Sequence, residues 1–192
     1  VPSRRMRFSE VIGQKALKER LLAAVADGRI SHAQLFLGPE GSGTLPMALA
    51  YAQYLVCEHP TADDSCGNCP GCIKASKMVH PDISFSFPVA PKDKISNPKS
   101  VDFISEFRSA VSANPYLNYQ DWVSALEVEN KQGLINIHEA RNIIQRLSLK
   151  SSEGSFRVII LWYPEKMNVE AANCLLKILE EPEEKTVFIL VA

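Results

Sequence analysis

Four of the chain's five cysteines fall within residues 57–72, spaced Cys57-x8-Cys66-x2-Cys69-x2-Cys72. Two consecutive Cys-x2-Cys steps can set three thiolates round one ion, and Cys57 can reach in as the fourth, which is the donor set of a closed structural zinc site. Four sulfurs leave no position for water, so such a metal would supply folding energy and not catalysis. Gly67 and Gly71 stand where the backbone must fold round the ion, and residues 58–71 hold almost no apolar side chains of their own. An iron–sulfur cluster also takes four cysteines, although the fourth cysteine and trailing proline of a ferredoxin-type run are absent here. Free structural thiols are the third reading. His80 is redundant as a ligand beside four cysteines, and Cys174 lies on an apolar helix face and reads as core.

A second stretch is defined by what it lacks. The apolar run 34–37 leads into Gly38, Gly41 and Gly43, and an alanine-rich segment follows, which is the strand, glycine-rich loop and helix of a phosphate-binding loop. The pattern Gly-x4-Gly-Lys-Ser/Thr wants a lysine for the outer phosphates and a hydroxyl for magnesium. Thr44 and Leu45 stand there instead. Alone, Gly38 to Gly43 could be an ordinary strand-to-helix turn. In a nucleotide hydrolase of this architecture, two carboxylates would also close the buried strand over 156–161, one for magnesium and one to orient water. Trp162 and Tyr163 occupy those positions, and Glu165 lies too far along and reads as surface. Two absences concerning one reaction point to loss of ATP hydrolysis, so no catalytic residue is assigned. Gly38, Gly41, Gly43 and Thr44 form a vestigial loop, and no resident nucleotide is expected beyond weak binding by backbone N–H groups.

The elements that must position these sites follow from periodicity. A helix is expected over 14–27, ended by Gly28, and His32 reads as structural at the junction before the first strand. After the loop, a helix apolar nearly all round, with Pro46 in its first turn, delivers Cys57 at its end. A short helix is expected over 72–79 and a period-two strand over 83–89, with Pro88 marking an edge or end. Residues 90–131 differ in texture: a polar loop containing Asp93, a helix with Phe103, Phe107 and Val111, a break at Asn114-Pro115, then Tyr116, Tyr119, Trp122 and Leu126 as a packing stripe. A helix with Ala140, Ile143, Ile144 and Leu147 on one face, a turn over 151–155, a helix with Val169, Ala172, Leu175, Leu176 and Leu179 inward, and a strand over 186–191 complete the pattern. Residues 1–7, with Arg4, Arg5 and Arg7, read as an arm.

The chain is 192 residues long with net charge -1, enough for one α/β domain with an insertion, and the charge balance shows no nucleic-acid or membrane footprint. No apolar run approaches a membrane span and no secretory leader is read, so a cytoplasmic protein is the expectation. The final strand stops one residue before Ala192, which reads as a piece of a longer protein.

These residues resemble the amino-terminal domain of bacterial DNA polymerase III clamp-loader subunits. The likeness rests on Phe8-Ser-Glu-Val-Ile-Gly-Gln14, Ser31-His-Ala33 with Leu35-Phe-Leu-Gly-Pro39, the cysteine cluster, His80-Pro-Asp82 and Ala171-Ala-Asn-Cys-Leu-Leu-Lys-Ile-Leu-Glu-Glu-Pro182. It covers residues 8–82 and about 132–191; residues 90–131 look like an insertion. Within that family the ATPase subunits keep the lysine and paired acids, whereas the delta-prime branch generally lacks a working site, and Thr44, Leu45, Trp162 and Tyr163 match the latter. The resemblance implies an AAA+ α/β fold spanning 1–192 with zinc on Cys57, Cys66, Cys69 and Cys72. It also implies a hetero-oligomeric ring with gamma/tau and delta subunits that loads the sliding clamp on primed DNA in the bacterial cytoplasm. An arginine-finger motif of the family is expected beyond Ala192. The helix before Pro182 is expected at a subunit interface. An active ATPase of the gamma/tau type and an iron–sulfur redox protein are the competing expectations.

Overall fold

A computed structural model describes residues 6–92, 94–128, 132–149 and 156–192. The arm residues Arg4 and Arg5, Asp93 of the polar loop and the turn over 151–155 lie outside the described residues.

Four strands, β1 (Ala33–Phe36), β2 (Ile83–Ser86), β3 (Arg157–Trp162) and β4 (Thr186–Val191), form one sheet in the order β1-β4-β3-β2. All three pairings are parallel, with Ile160 opposite both Phe85 and Ile189 in register. Parallel strands need crossovers that lay helices on the faces, so both faces are covered and β3 and β4 are apolar almost throughout. Among the described residues, seven α-helices supply the cover: α1 (Lys15–Ala26), α2 (Thr44–Leu55), α3 (Pro70–Ser76), α4 (Ile104–Ala113), α5 (Tyr119–Leu126), α6 (Ile137–Leu147) and α7 (Val169–Glu180). Val158, Ile160 and Trp162, with Val187, Ile189 and Val191, face the core made by α1, α2, α4 and α5. Ile159, Leu161 and Phe188 face the other way, onto α6 and α7. The α/β expectation, a parallel sheet flanked by helices as in AAA+ domains, therefore holds.

Helix α2 is the axis of the larger layer. Residues Leu45 to Leu55 are all buried, including Gln53, whose Nε2 donates to Ser65 Oγ at 2.9 Å. Phe103, Phe107, Val111, Leu117, Trp122 and Leu126 of the segment read as an insertion are part of that layer. Phe107 stacks on Phe87 at 4.0 Å between centroids, and Trp122, fully buried, meets both rings edge-on and donates its indole N–H to the Pro88 carbonyl at 2.7 Å.

Three expectations need correction. Strand β2 ends at Ser86, not residue 89; Val89 makes an isolated antiparallel bridge to Leu134 instead, because the chain turns into the aromatic cluster. The short helix runs Pro70–Ser76, not 72–79, since Cys69 is its N-cap and Met78, at φ 55, has left the helical conformation. On α7 the buried stripe is Ala171 and Leu175 with Cys174 and Ile178, while Val169 and Leu176 are 75% and 52% exposed. The helix is turned from the expected face so that Ala171, fully buried, sits closest to α6 and the sheet.

Candidate functional site

The cage begins where α2 stops. Cys57 follows the C-cap Val56, the chain loops out, and Cys66, Cys69 and Cys72 return on a turn that ends in α3. The four sulfurs all lie within 4.8 Å of one another. Tetrahedral zinc at a Zn–S distance of ~2.3 Å needs sulfurs ~3.8 Å apart, and Cys66 and Cys72 Sγ are 3.9 Å apart. Backbone N–H groups point at the sulfurs: Cys66 N–H to Cys57 at 3.3 Å, Cys69 N–H to Cys66 at 3.4 Å, and both Glu58 and Cys72 N–H to Cys69 at 3.4 Å. Such donors stabilise thiolate charge, as the shell around a metal must. N–H groups of Asn68 and Cys69 pull the Cys66 thiol down to about 6, whereas burial raises Cys57 and Cys72.

The glycines are dictated by the turn. A Cβ on Gly71 would collide with the Val56 carbonyl oxygen, and Gly67 has φ +75 with Arg7 Cδ 3.2 Å from where its Cβ would stand. Arg7 Nε, placed against this turn, is buried with no hydrogen-bond partner among the described residues. The Arg7 cation beside the cage is of the sign that suits an anionic metal tetrathiolate. Glu58 Oε1 accepts the Gly71 N–H at 3.1 Å, and Asp64 accepts the N–H groups of Phe8 and Ser9 at 3.0 Å each, so the module is tied to the chain's beginning.

The glycine-rich stretch does join a strand to a helix. Gly38 N–H donates to the Ala192 carbonyl at 3.2 Å, Ser42 N–H closes on Pro39 at 3.0 Å, and Gly43, at φ 90, caps α2. Thr44 is the first helical residue and Leu45, next to it, is 3% exposed. Neither carries a cation. Across the cleft, Trp162 is the last residue of β3 and packs on Phe107 at 5.5 Å, while Tyr163 follows at φ 55 and meets Tyr119 edge-on at 5.5 Å. Tyr163 Oη accepts the Tyr119 N–H at 3.0 Å. Burial raises the Tyr163 phenol above its ordinary value, so it stays neutral and offers no anionic oxygen to magnesium. Glu165 is exposed on the short turn Pro164–Lys166.

What the spacing did not reveal is a third wall. Tyr116 lies over the loop, its Cε1 3.1 Å from where a Cβ on Gly43 would stand, and its hydroxyl accepts the Ile12 N–H at 2.9 Å. The space left between the loop, Pro115 to Leu117, Trp162 and Tyr163 is about 50 Å³. The aromatic stripe 116–126 carried the signal, but its target is 73 residues from Tyr116 at Gly43 and 44 from Tyr119 at Tyr163 in neither direction readable by period.

The fold and these two places define a class: a P-loop-type α/β domain of the AAA+ kind with a four-cysteine module grafted after its first crossover helix. The family described as "DNA polymerase III, delta subunit" matches residues 13–192, and the chain belongs to it. It is 29% identical over 167 residues to DNA polymerase III subunit delta' of Pseudomonas aeruginosa, covering 86% of this chain and 39% of that protein. To the delta' subunit of Escherichia coli it is 27% identical over 172 residues, 90% of this chain and 40% of the relative. The tau subunit of Bacillus subtilis is 27% identical over 187 residues, 97% of this chain and 26% of that subunit. The chain thus spans less than half the length of these relatives. Among the described residues, no helix is long and apolar enough to cross a membrane.

Proposed function

We propose that the protein is a non-hydrolysing, delta-prime-type subunit of a bacterial clamp loader. It would act in the cytoplasm beside gamma/tau and delta subunits and help place the sliding clamp on primed DNA. The observation that carries this is the state of the two reaction positions: Thr44 and Leu45 where a lysine and a magnesium hydroxyl belong, and Trp162 and a neutral Tyr163 where carboxylates belong. Losing the lysine alone removes a charge-assisted contact of ~1.5–3 kcal/mol, and without either set of ligands no magnesium is held to neutralise the phosphates. Cys57, Cys66, Cys69 and Cys72 would hold zinc, whose contribution is to order the module; the nearly tetrahedral spacing and the N–H···S donors support zinc over free thiols.

The test is magnesium-dependent ATP turnover by the full-length protein, alone and within its complex. No turnover alone is expected, together with recovery of clamp-loader subunits when the tagged protein is purified from its own cells. Turnover by the pure full-length chain would instead establish an ATPase of the gamma/tau type. Elemental analysis is expected to return one zinc per chain from a colourless sample; a brown sample with visible absorption would mean iron–sulfur.

A further inference from the structure

We propose that Tyr116 is a built-in occupant of the vestigial nucleotide site, so that this chain keeps nucleotide out by filling the site as well as by lacking the groups that would hold phosphate. The inference rests on the reading of residues 38–45 as a former phosphate loop, and it goes beyond that reading by naming the residue that closes it.

The tyrosine spans the mouth of the site. Its ring fills the space a Cβ on Gly43, the residue that caps α2, would enter, and its hydroxyl accepts the backbone N–H of Ile12 on the other side. Ligand pockets of nucleotide size run to ~300–1,000 Å³, whereas about 50 Å³ remains on the side of the loop facing Tyr116, Trp162 and Tyr163, and about 160 Å³ on the side facing Gln14 and Leu17. With Tyr116 in place, each space beside the loop is smaller than a pocket of nucleotide size.

The ring is also presented rigidly. Asn114 Oδ1 accepts the Tyr116 N–H at 3.0 Å, the Leu117 N–H returns to the Asn114 carbonyl at 3.1 Å, and Pro115 and Leu117 on either side are buried. Helix α5 follows at once, with Asn118 and Asp121 capping it reciprocally at 2.9 and 3.1 Å. The turn is thus held between Phe107 of α4 and Trp122 of α5, whose rings meet edge-on at 5.3 Å. Tyr119, one turn on, binds Tyr163, a residue standing where a magnesium carboxylate would be. The aromatic side chains that replaced the acids therefore serve as the seat for the segment that covers the loop. Simple surface packing would explain a half-buried ring, but it does not require the hydroxyl to reach across to the N–H of Ile12.

The experiment uses the full-length protein and three variants, Tyr116→Ala, Tyr116→Leu and Tyr116→Phe, with mant-ATP and competing unlabelled ADP as probes, each with magnesium. The parent and Tyr116→Phe are expected to show no saturable binding. Tyr116→Ala, or Tyr116→Leu if the alanine variant does not fold, is expected to gain binding by at least ~tenfold over the parent. Equal binding by the parent and the opened variant overturns the proposal, and so does an opened, folded variant that still binds nothing. ATP turnover is followed in the same samples. Turnover in the opened variant would refute the lost-chemistry reading and leave the tyrosine's role intact, whereas absence of binding with no turnover refutes the tyrosine's role alone.

Discussion

Withdrawing metal from the cysteine cage should melt one part of the molecule and spare the rest. Between residues 58 and 71 the only buried residues are Ser65, Gly67, Cys69 and Gly71, so this segment hides no large apolar side chain. At ~25 cal/mol per Å² its apolar burial contributes next to nothing, against ordering that costs about 1–2 kcal/mol per residue. Structural zinc supplies ~10–16 kcal/mol in small metal-folded modules, as much as the ~5–15 kcal/mol stability of a whole domain. Chelation should therefore release the segment, and Cys72→Ser, which removes a fully buried thiol of the proposed metal cage, should do the same without chelator. The assay is amide hydrogen exchange on the full-length protein. Amides of Cys66, Cys69 and Cys72, which donate to sulfur, should lose protection by a factor of ~100 or more, equivalent to about 2.7 kcal/mol. Amides of β3 and β4 should keep theirs, because they are paired within the sheet and lie in the two main cores. Unchanged protection at the cysteines after complete metal removal would refute the reasoning.

Gly43→Ala forces φ 90 on a residue with a Cβ and presses it against Tyr116, so a loss of about 1–3 kcal/mol is expected in urea denaturation. Glu139 is 1% exposed, its Oε2 accepts the Ser100 N–H at 2.7 Å, and desolvation raises its carboxyl above the ordinary value. With the folded group holding its proton more tightly, the unfolded chain releases its proton first as pH rises, and stability falls across the window from the usual carboxylate range up to the raised folded value. Glu139→Gln should abolish that fall, measured as denaturation midpoints between pH 4 and pH 7. Lys177, exposed on α7 near the uncovered Val169 and Leu176, should weaken subunit assembly by roughly tenfold when reversed to glutamate, read by sedimentation of the reconstituted complex; unaltered assembly removes α7 from the interface.

Much of this architecture was legible because local rules agreed. Three glycines after an apolar run fixed the strand-loop-helix, an apolar circumference marked α2 as a buried helix, and cysteine spacing placed four sulfurs together. Where several patterns fitted equally, the reading slipped. Helix α7 carries more apolar residues than one face can hold, so period alone could not choose Ala171, Cys174 and Ile178 over Val169 and Leu176. Ser84 and Ser86 alternate with apolar residues as on a half-open strand, yet Ser86 is 1% exposed because β2 is covered on both sides. The meeting of Tyr116 with Gly43 and of Tyr119 with Tyr163 is tertiary, and no spacing encodes it.

Leu45 and Trp162 belong to the same buried cluster, so, on the proposed reading of a site without ATPase chemistry, restoring that chemistry would have to disturb the core. Putting a threonine back at residue 45 and an aspartate at 162 would tear two anchors out of the interior, the second at about 3–5 kcal/mol for its lost volume alone, while setting a carboxylate in a dry place with no ion yet to greet it. Each such substitution alone would weaken the core before any hydrolytic gain, so single changes would not rebuild a nucleotide-splitting site here.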